Sequence, residues 1–512
     1  MKRSAAVLIP LFSTRTPADL GRGEIAGLYP AADFTLALGH RMIQLLPVDE
    51  TAPGETSPYS AMSVLAIDPL YISSSALPGV GPASLARARA AAGPGEPPDP
   101  SRLSAAKLEL LRRSFAHFQA RASAHDRSEF DAYLLAERDW LPDYALFRAL
   151  KERYRWSAWD AWPRDLAARE QPALQAAARE LEHEISFYSF IQFVACRQWR
   201  ELRKALAAKG VALGGDLAFS PCRESAEVWA NQAMFDLART VGAPPDAFSA
   251  TGQRWGLPMP AWSAMRAGGF ALIRIRTRRA RQLFDLLRID HVVGLYRTYG
   301  FGADPEAAGA FDPADPAEQL AQGEEIIRVI REEAGAMELI AEDLGVIPPF
   351  VRRSLAALEI PGYKVMRWER EWDEAGQPFI APAHYPEISV ATTGTHDTET
   401  LVEWWRAAPA EERDAFVAML GAAAGVDPKA ANLGDHATLA IIEALYGARS
   451  QLAIAPAADL FGWDARVNVP GTVGDGNWKW RFPYPLEGAA KNTALAGRVA
   501  AIRAIAERTK RF

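Results

Sequence analysis

The sequence predicts an α/β protein built on a closed (β/α)8 TIM barrel. Two observations favour this fold. Short runs rich in Val, Ile and Leu recur along the 512 residues, as is typical of parallel strands buried on both faces. Helical patterns lie between most of these runs, and eight strands alternating with helices match a closed barrel. The runs span residues 5–12, 42–48, 211–219, 283–290, 337–343, 363–368, 390–397 and 452–460.

The helical patterns give the domain organisation. They cover residues 31–38, 187–208, 271–283, 323–334, 348–358 and 411–424. We assign residues 1–512 to the barrel, residues 70–205 to a mostly helical insertion after the second strand, and residues 220–270 to an insertion loop after the third strand that covers the active site. Within the first insertion we expect helices at 105–122, 129–153 and 173–209. A final helix at 489–511 leaves no C-terminal β-sandwich domain.

Composition narrows the class of protein. A net charge of −6 gives no sequence-wide reason to bind nucleic acid or anionic lipid. The longest apolar runs are shorter than the roughly 18–20 residues of a membrane span. The two cysteines, Cys196 and Cys222, form no CxxC motif, which indicates reduced thiols. We therefore expect a cytoplasmic protein that binds neither nucleic acid nor a membrane.

Three acidic residues carry the strongest chemical signal. Asp290, Glu342 and Asp397 each lie at the carboxyl end of a predicted barrel strand, which is the face that holds the active site of such barrels. Cleavage of a glycosidic bond needs two carboxyl groups, one to protonate the leaving oxygen and one to attack the anomeric carbon or to activate water. A single acid at such a position could also be a helix N-cap or part of an ion pair. Three acids on three strands favour catalysis.

Basic residues flank these acids. Arg288 lies two residues before Asp290, so both side chains point to the same face of a strand. A guanidinium there would keep the Asp290 carboxylate ionised, as a nucleophile requires. His291 and His396 could donate hydrogen bonds to sugar hydroxyls. The eight histidines form no HxH or HExxH motif, so we expect neither a catalytic metal nor a cofactor.

These segments resemble the 4-α-glucanotransferases, also called amylomaltases or disproportionating enzymes, of the α-amylase clan. The resemblance covers nearly the whole chain. The trio Arg-x-Asp, Glu and His-Asp indicates only the clan, whereas Gly-Gln-Arg-Trp-Gly and Ala-Glu-Asp-Leu-Gly are specific to the family. The matching motifs are Ser57-Pro58-Tyr59, Gly215-Asp216, Gly252-Gln253-Arg254-Trp255-Gly256, Arg288-Ile289-Asp290-His291, Ala341-Glu342-Asp343-Leu344-Gly345, Gly394-Thr395-His396-Asp397 and Asn477-Trp478-Lys479-Trp480-Arg481.

The resemblance implies a retaining transfer of an α-1,4-glucan segment from a maltooligosaccharide to glucose or another glucan. Asp290 would be the nucleophile, Glu342 the general acid/base and Asp397 the residue that stabilises the transition state. The residues that would bind substrate are Tyr59, Asp216, Gln253, Trp255, Arg288, His291 and His396, with Gln253 and Trp255 on a loop over the glucan. The chain departs from the family at Leu257-Pro258-Met259-Pro260 and at Val292-Val293-Gly294. These departures concern acceptor and loop contacts.

Other functions remain open at this point. An α-1,4-glucan hydrolase of the amylase type would share all three acids, and a non-catalytic glycan-binding protein would lack at least one of them. An aldolase-like barrel would need a Schiff-base lysine, for which Lys364 is the candidate, although an ion pair inside the barrel explains this residue better. We expect a monomer or a homodimer.

Overall fold

A computed structural model of the chain describes residues 2–245, 251–304, 307–472, 474, 476–489 and 492–512. Its strands fall into one large parallel sheet and two small antiparallel ones. They are β1 (Ser4–Leu8), β2 (Met42–Gln44), β3 (Asp49–Thr51), β4 (Ala61–Ile67), β5 (Ala212–Leu217), β6 (Phe235–Ala243), β7 (Gln253–Pro260), β8 (Leu286–Ile289), β9 (Thr298–Phe301), β10 (Ala310–Asp312), β11 (Glu338–Ala341), β12 (Gly362–Val365), β13 (Ser389–Thr392) and β14 (Leu452–Pro456).

Eight of these strands close into a parallel barrel. Their order is β1-β14-β13-β12-β11-β8-β5-β2, and β2 pairs with β1 to complete the ring. Each of the eight apolar runs overlaps one of them, so the predicted barrel fold is confirmed. The runs are apolar because helices cover the outer face while side chains fill the interior, and strands such as β8 and β13 are buried at every residue.

Helices surround the barrel and fill the long connection between β4 and β5. They are α1 (Leu28–Ala37), α2 (Pro82–Ala92), α3 (Pro100–Arg121), α4 (Ala124–Ala136), α5 (Leu141–Arg153), α6 (Arg164–Ala167), α7 (Gln171–Glu180), α8 (Glu182–Lys209), α9 (Ala226–Ala230), α10 (Trp262–Ala267), α11 (Ala271–Leu283), α12 (Val293–Tyr296), α13 (Pro316–Ala334), α14 (Pro349–Ala357), α15 (Leu401–Ala407), α16 (Ala410–Leu420), α17 (Asp435–Gly447), α18 (Ala457–Phe461) and α19 (Thr493–Arg508). Among the described residues, none of these helices has the length and apolarity needed to cross a bilayer.

The first insertion differs from the sequence prediction at two helices. The single helix expected at 173–209 is wrong, because α7 ends at Glu180 and α8 begins at Glu182. The single helix expected at 129–153 is wrong, because α4 ends at Ala136 and α5 begins at Leu141. Pro142 in the first turn of α5 has no N–H to donate and disfavours helical geometry in the residue before it, which explains the break. The division of the chain at 70–205 and 220–270 stays a prediction.

The second insertion is more ordered than a loop. Strands β6 and β7 pair with each other, and β9 and β10 extend them into an antiparallel sheet in the order β10-β9-β6-β7. Gln253 and Trp255 therefore lie on an edge strand and not on a loop. This sheet could not be predicted from the sequence, because β9 pairs with β6 although β8 and the helices α10, α11 and α12 lie between them along the chain. Residues 246–250 of this insertion lie outside the described residues.

The two ends of the chain meet at the amino-terminal ends of β1 and β14 through the exposed Arg3 and the buried Arg511. Arg511 is fully buried, and its guanidinium donates to the carbonyls of Ser4, Tyr446, Ala448, Ser450 and Gln451 at 2.6–3.3 Å. Three of these carbonyls also accept from Arg3. Burial, with the nearby charge of Arg3, lowers the pKa of Arg511 to about 9. Arg511 thus joins β1, the end of α17 and the start of β14.

We predict that Arg511→Ala lowers the free energy of unfolding by about 2–4 kcal/mol, because several buried carbonyls lose their donor. Thermal and urea unfolding of the variant and the parent protein would measure this loss. Arg508→Ala is the matched control, since its exposed ion pair with Glu443 should contribute at most about 1 kcal/mol. Equal stability of the two variants would contradict the proposed role of Arg511.

Candidate active site

The predicted site residues meet at the carboxyl ends of the barrel strands. Asp216 is near the end of β5, Asp290 follows β8 directly, Glu342 follows β11 directly, and Asp397 lies in the loop after β13. Tyr59 comes from the connection between β3 and β4. Parallel strands bring these positions together because all their carboxyl ends face the same rim.

The Arg288 guanidinium lies at the centre of the site. Its Nη1 donates to Asp290 Oδ1 at 2.7 Å and to both carboxylate oxygens of Asp216 at 2.8 Å. Its Nη2 lies 4.0 Å from Glu342 Oε2. The register of β5 against β8 pairs Asp216 with Arg288, and Tyr59 Oη donates to Asp216 at 2.7 Å. The buried Arg288 guanidinium therefore lies within 4.0 Å of three acidic side chains. The expected ion pair between Arg288 and Asp290 is present.

Glu342 is held by the backbone. The N–H of His291 donates to its Oε2 at 2.9 Å, and the N–H of Leu344 donates to its Oε1 at 2.8 Å. Burial and the negative charge of Asp290 raise the pKa of Glu342 to about 7, against the opposing effects of Arg288 and of the two N–H groups. Glu342 can therefore carry a proton near neutral pH.

His291 connects Glu342 to the edge strand β7. Its φ of +45° is in the left-handed region, and this conformation aims its N–H at Glu342. The imidazole meets the ring of Trp255 edge-on with centroids 4.8 Å apart, and that of Phe219 at 5.5 Å. Burial lowers the pKa of His291 to about 4, so the ring is neutral. Trp255 Nε1 lies 3.5 Å from Gln253 Oε1, so Trp255 links Gln253 to His291.

Asp397 has the opposite electrostatic character to Glu342. His396 Nε2 lies 3.1 Å from its Oδ2, and Asn468 Nδ2 donates to its Oδ1 at 2.7 Å. Burial would raise the pKa of Asp397, but His396 and Asn468 lower it to about 2. Asp397 is therefore ionised when Glu342 is half-protonated. The sequence prediction missed Asn468, which belongs to no motif and reaches the site only because the chain folds back after β14.

An aromatic stack closes another side of the site. The rings of Tyr59 and His396 lie nearly parallel, 19° apart, with centroids separated by 5.0 Å. Trp478 contacts both, at 5.8 Å from Tyr59 and 5.7 Å from His396. The sequence showed Trp478 within a family motif but gave it no role.

Two other candidate residues have structural partners. Asp343 Oδ1 accepts from the N–H of Tyr363 at 2.7 Å, so it orients β12 as expected of an acid on the opposite side from Glu342. Lys364 Nζ donates to Glu369 Oε2 at 3.0 Å, which favours the ion pair over a Schiff base. Within the part of the chain that the structure describes, no group of His, Cys, Asp or Glu side chains could hold a metal ion.

The geometry offers a buried acid that binds a proton near pH 7, beside a carboxylate paired with arginine, and an ionised acid across from them. A sequence model of the family described as 4-alpha-glucanotransferase matches residues 9–487. The chain belongs to this 4-alpha-glucanotransferase family. Its members transfer an α-1,4-glucan segment from a donor maltooligosaccharide to an acceptor, with retention and through a covalent glycosyl intermediate, and the chain has this activity.

Individual relatives match it over nearly its whole length. The chain is 34% identical to the 4-alpha-glucanotransferase of Synechocystis over 94% of each chain, and 34% identical to that of Thermus thermophilus over 98% of each. Among solved structures, the amylomaltase from Streptococcus agalactiae in complex with acarbose superposes with a TM-score of 0.86 at 27% identity and full coverage of both chains. These likenesses place the chain among the amylomaltases in fold, and the predicted recognition of the family is confirmed.

Proposed function

We propose that Asp290 is the nucleophile, Glu342 the general acid/base and Asp397 the residue that stabilises the transition state of glucan transfer. The arrangement that carries this proposal is the pairing of Asp290 with Glu342 around Arg288. Arg288 donates a direct 2.7 Å hydrogen bond to Asp290, while burial favours the protonated form of Glu342. The carboxylate that would attack is held by a cation, and the carboxyl group that would protonate the leaving oxygen can carry a proton near neutral pH.

The first step transfers the donor segment to the enzyme. Asp290 Oδ attacks the anomeric carbon as the bond from that carbon to the leaving oxygen breaks, and protonated Glu342 gives its proton to that oxygen. The products are a glucosyl ester of Asp290 and the shortened glucan. Such retaining enzymes hold their two carboxyl groups roughly 5–5.5 Å apart, and we expect this separation between Asp290 and Glu342.

The second step releases the segment to an acceptor. Glu342, now ionised, takes the proton of an acceptor hydroxyl, whose oxygen attacks the anomeric carbon and frees the Asp290 carboxylate. Two inversions give net retention. Glucose or a glucan end would serve as acceptor. The chemistry requires that the acceptor outcompete water, and Trp255 on the edge strand β7 is suited to bind a sugar face and exclude water.

Asp397 and the remaining polar groups would hold the donor sugar. The ionised Asp397 carboxylate, fixed by His396 and Asn468, can accept hydrogen bonds from sugar hydroxyls and oppose the positive charge that develops on the ring. Tyr59, Asp216, Arg288, His291 and His396 would line the subsite at the cleaved bond, with Gln253 and Trp255 over the glucan. The cytoplasmic location and the monomeric or homodimeric state stay predictions.

We predict that Asp290→Asn lowers transfer by at least about 10³-fold, because an amide cannot form the glycosyl ester. Maltotriose is the substrate, and its products are separated by chain length while reducing ends are counted. The parent enzyme should release glucose and longer chains at a constant number of reducing ends. Asp315→Asn, at an exposed N-cap where Asn serves equally well, should match the parent. Undiminished turnover by Asp290→Asn would disprove the nucleophile assignment.

We predict that Glu342→Gln lowers maltotriose turnover by about 10²–10⁴-fold, because the leaving oxygen loses its proton donor. With α-maltosyl fluoride, whose leaving group needs no proton, the variant should still release a burst of about one fluoride ion per active site before turnover stalls. Rapid-mixing measurement of fluoride gives the size of the burst. Absence of the burst in a folded variant would show that Glu342 is not the proton donor.

We also predict that kcat/KM falls above about pH 7 as Glu342 loses its proton. A substitution at position 291 should shift this alkaline limb of the pH profile. His291→Ala and His291→Gly both remove the imidazole, but only Gly adopts φ of +45° freely. In the Ala variant the strained N–H shifts away from Glu342, which raises the pKa of Glu342 and moves the alkaline limb of kcat/KM upward. The Gly variant should keep the limb of the parent. Identical limbs in the two variants would contradict this coupling.

A further inference from the structure

The motif Asn477-Trp478-Lys479-Trp480-Arg481 matches the family but has no assigned role. It lies in the loop of residues 463–482, which follows α18 and of which residues 473 and 475 lie outside the described part. The loop contributes two groups to the site. Asn468 donates directly to Asp397, and Trp478 packs on the stacked rings of Tyr59 and His396.

We propose that Trp478 is a positioning residue for the transfer reaction, which acts by fixing the Tyr59–His396 stack and, through it, the carboxylate of Asp397. Trp478 is only 8% exposed, so its indole offers little surface to a sugar. Its indole instead packs on the rings of Tyr59 and His396, both of which contact acidic residues of the site. Tyr59 Oη binds Asp216, and His396 Nε2 lies against Asp397.

The backbone at Trp478 is held in an uncommon conformation. Its φ of +61° is in the left-handed region, which costs a residue with a large side chain of order 1–3 kcal/mol. The surrounding contacts maintain it: the Trp478 N–H donates to Val467 O at 2.8 Å, and Asn477 Oδ1 accepts from the N–H of Val469 at 3.0 Å. Strain of this kind persists where the structure fixes a side chain in a required place, here against His396.

The loop is also anchored away from the site. Arg481 Nη2 donates to Asp19 Oδ2 at 2.8 Å and to Thr14 O at 3.0 Å, and the N–H of Phe482 donates to Ser13 O at 2.9 Å. These bonds tie the loop to the segment that follows β1. The indole of Trp478 is therefore supported from a second barrel strand and can restrain His396, whose own carbonyl accepts from Asn468 N at 3.1 Å.

A positioning role and a merely structural role give different kinetics. Loss of the indole lets the stacked rings move, so Asp397 no longer holds the geometry that the transition state needs. A misplacement of about 1 Å can cost about 10²-fold in rate. We expect Trp478→Ala to lower kcat for maltotriose by about 10–100-fold while KM changes less than about threefold, because transition-state interactions are lost selectively. Trp478→Phe keeps an aromatic ring and should recover most of the rate.

The same loop supplies a matched control. Trp480 lies two residues on, and its ring packs on Phe482 at 4.9 Å and Trp463 at 6.2 Å, with no ring contact to Tyr59 or His396. Trp480→Ala should lower the Tm but leave kcat within about threefold of the parent. If Trp478→Ala does not fold, Trp478→Leu, which keeps most of the volume without the ring, takes its place in every comparison.

A double-mutant cycle with His396→Ala decides the proposal, which rests on the roles assigned under the proposed function. If Trp478 acts through the stack, Trp478→Ala should cost less than about threefold in the His396→Ala background, because the stack is already gone. Equal costs in both backgrounds, or equal kcat for Trp478→Ala and Trp480→Ala, would overturn it. The cycle compares rates and does not depend on which residue is the nucleophile. A failed cycle and a failed Asp290→Asn test are therefore distinguishable.

Discussion

The Arg288 guanidinium is central to the electrostatics of the site, because it directly contacts both Asp216 and Asp290 while lying 4.0 Å from Glu342. Three carboxyl groups at one end of a barrel would repel one another if all were ionised in a buried setting. Arg288 satisfies two of them by hydrogen bonds and leaves the third at a distance. Burial and the negative charge of Asp290 raise the pKa of that third group to about 7. Asp290 thus lies in direct contact with the guanidinium, whereas Glu342 does not and can carry a proton near neutral pH.

The barrel makes this distribution of contacts possible. The register of β5 against β8 places Asp216 opposite Arg288, and the two-residue spacing along β8 puts Arg288 and Asp290 on the same face. Glu342 directly follows β11, the strand that pairs with β8 on its other side, and there it accepts hydrogen bonds from backbone N–H groups in place of the guanidinium. A one-residue slip of β8 against β5 would separate the pair and leave a buried charge unpaired, which costs several kcal/mol. Correct register is therefore a requirement of the electrostatics as well as of packing.

Much of this could be predicted from the sequence, and the reasons are local. Asp290, Glu342 and Asp397 each lie at the end of a short apolar run. The two-residue spacing between Arg288 and Asp290 is visible in the motif Arg288-Ile289-Asp290-His291. Asn468 and the antiparallel sheet of β6, β7, β9 and β10 could not be predicted, because both depend on partners far along the chain. Pro142 explains the break before α5, but the helical pattern on either side of it predicts one continuous helix. Sequence periodicity predicts helices and strands, because these depend on neighbouring residues. Contacts between loops depend on the closure of the barrel, which brings distant parts of the chain to the same rim.

The strained residues of the site show how those loop contacts are used. His291 and Trp478 both have positive φ, and each lies next to a group that we assign to catalysis: the N–H of His291 binds Glu342, and the indole of Trp478 backs His396 beside Asp397. Strain at two bulky residues persists only if the surrounding fold overdetermines their conformation. At His291 the neighbours are the rings of Trp255 and Phe219, and at Trp478 they are the anchored residues of its own loop. The rigid barrel supplies the acids, and these two strained turns set the precise orientation in which the acids are held.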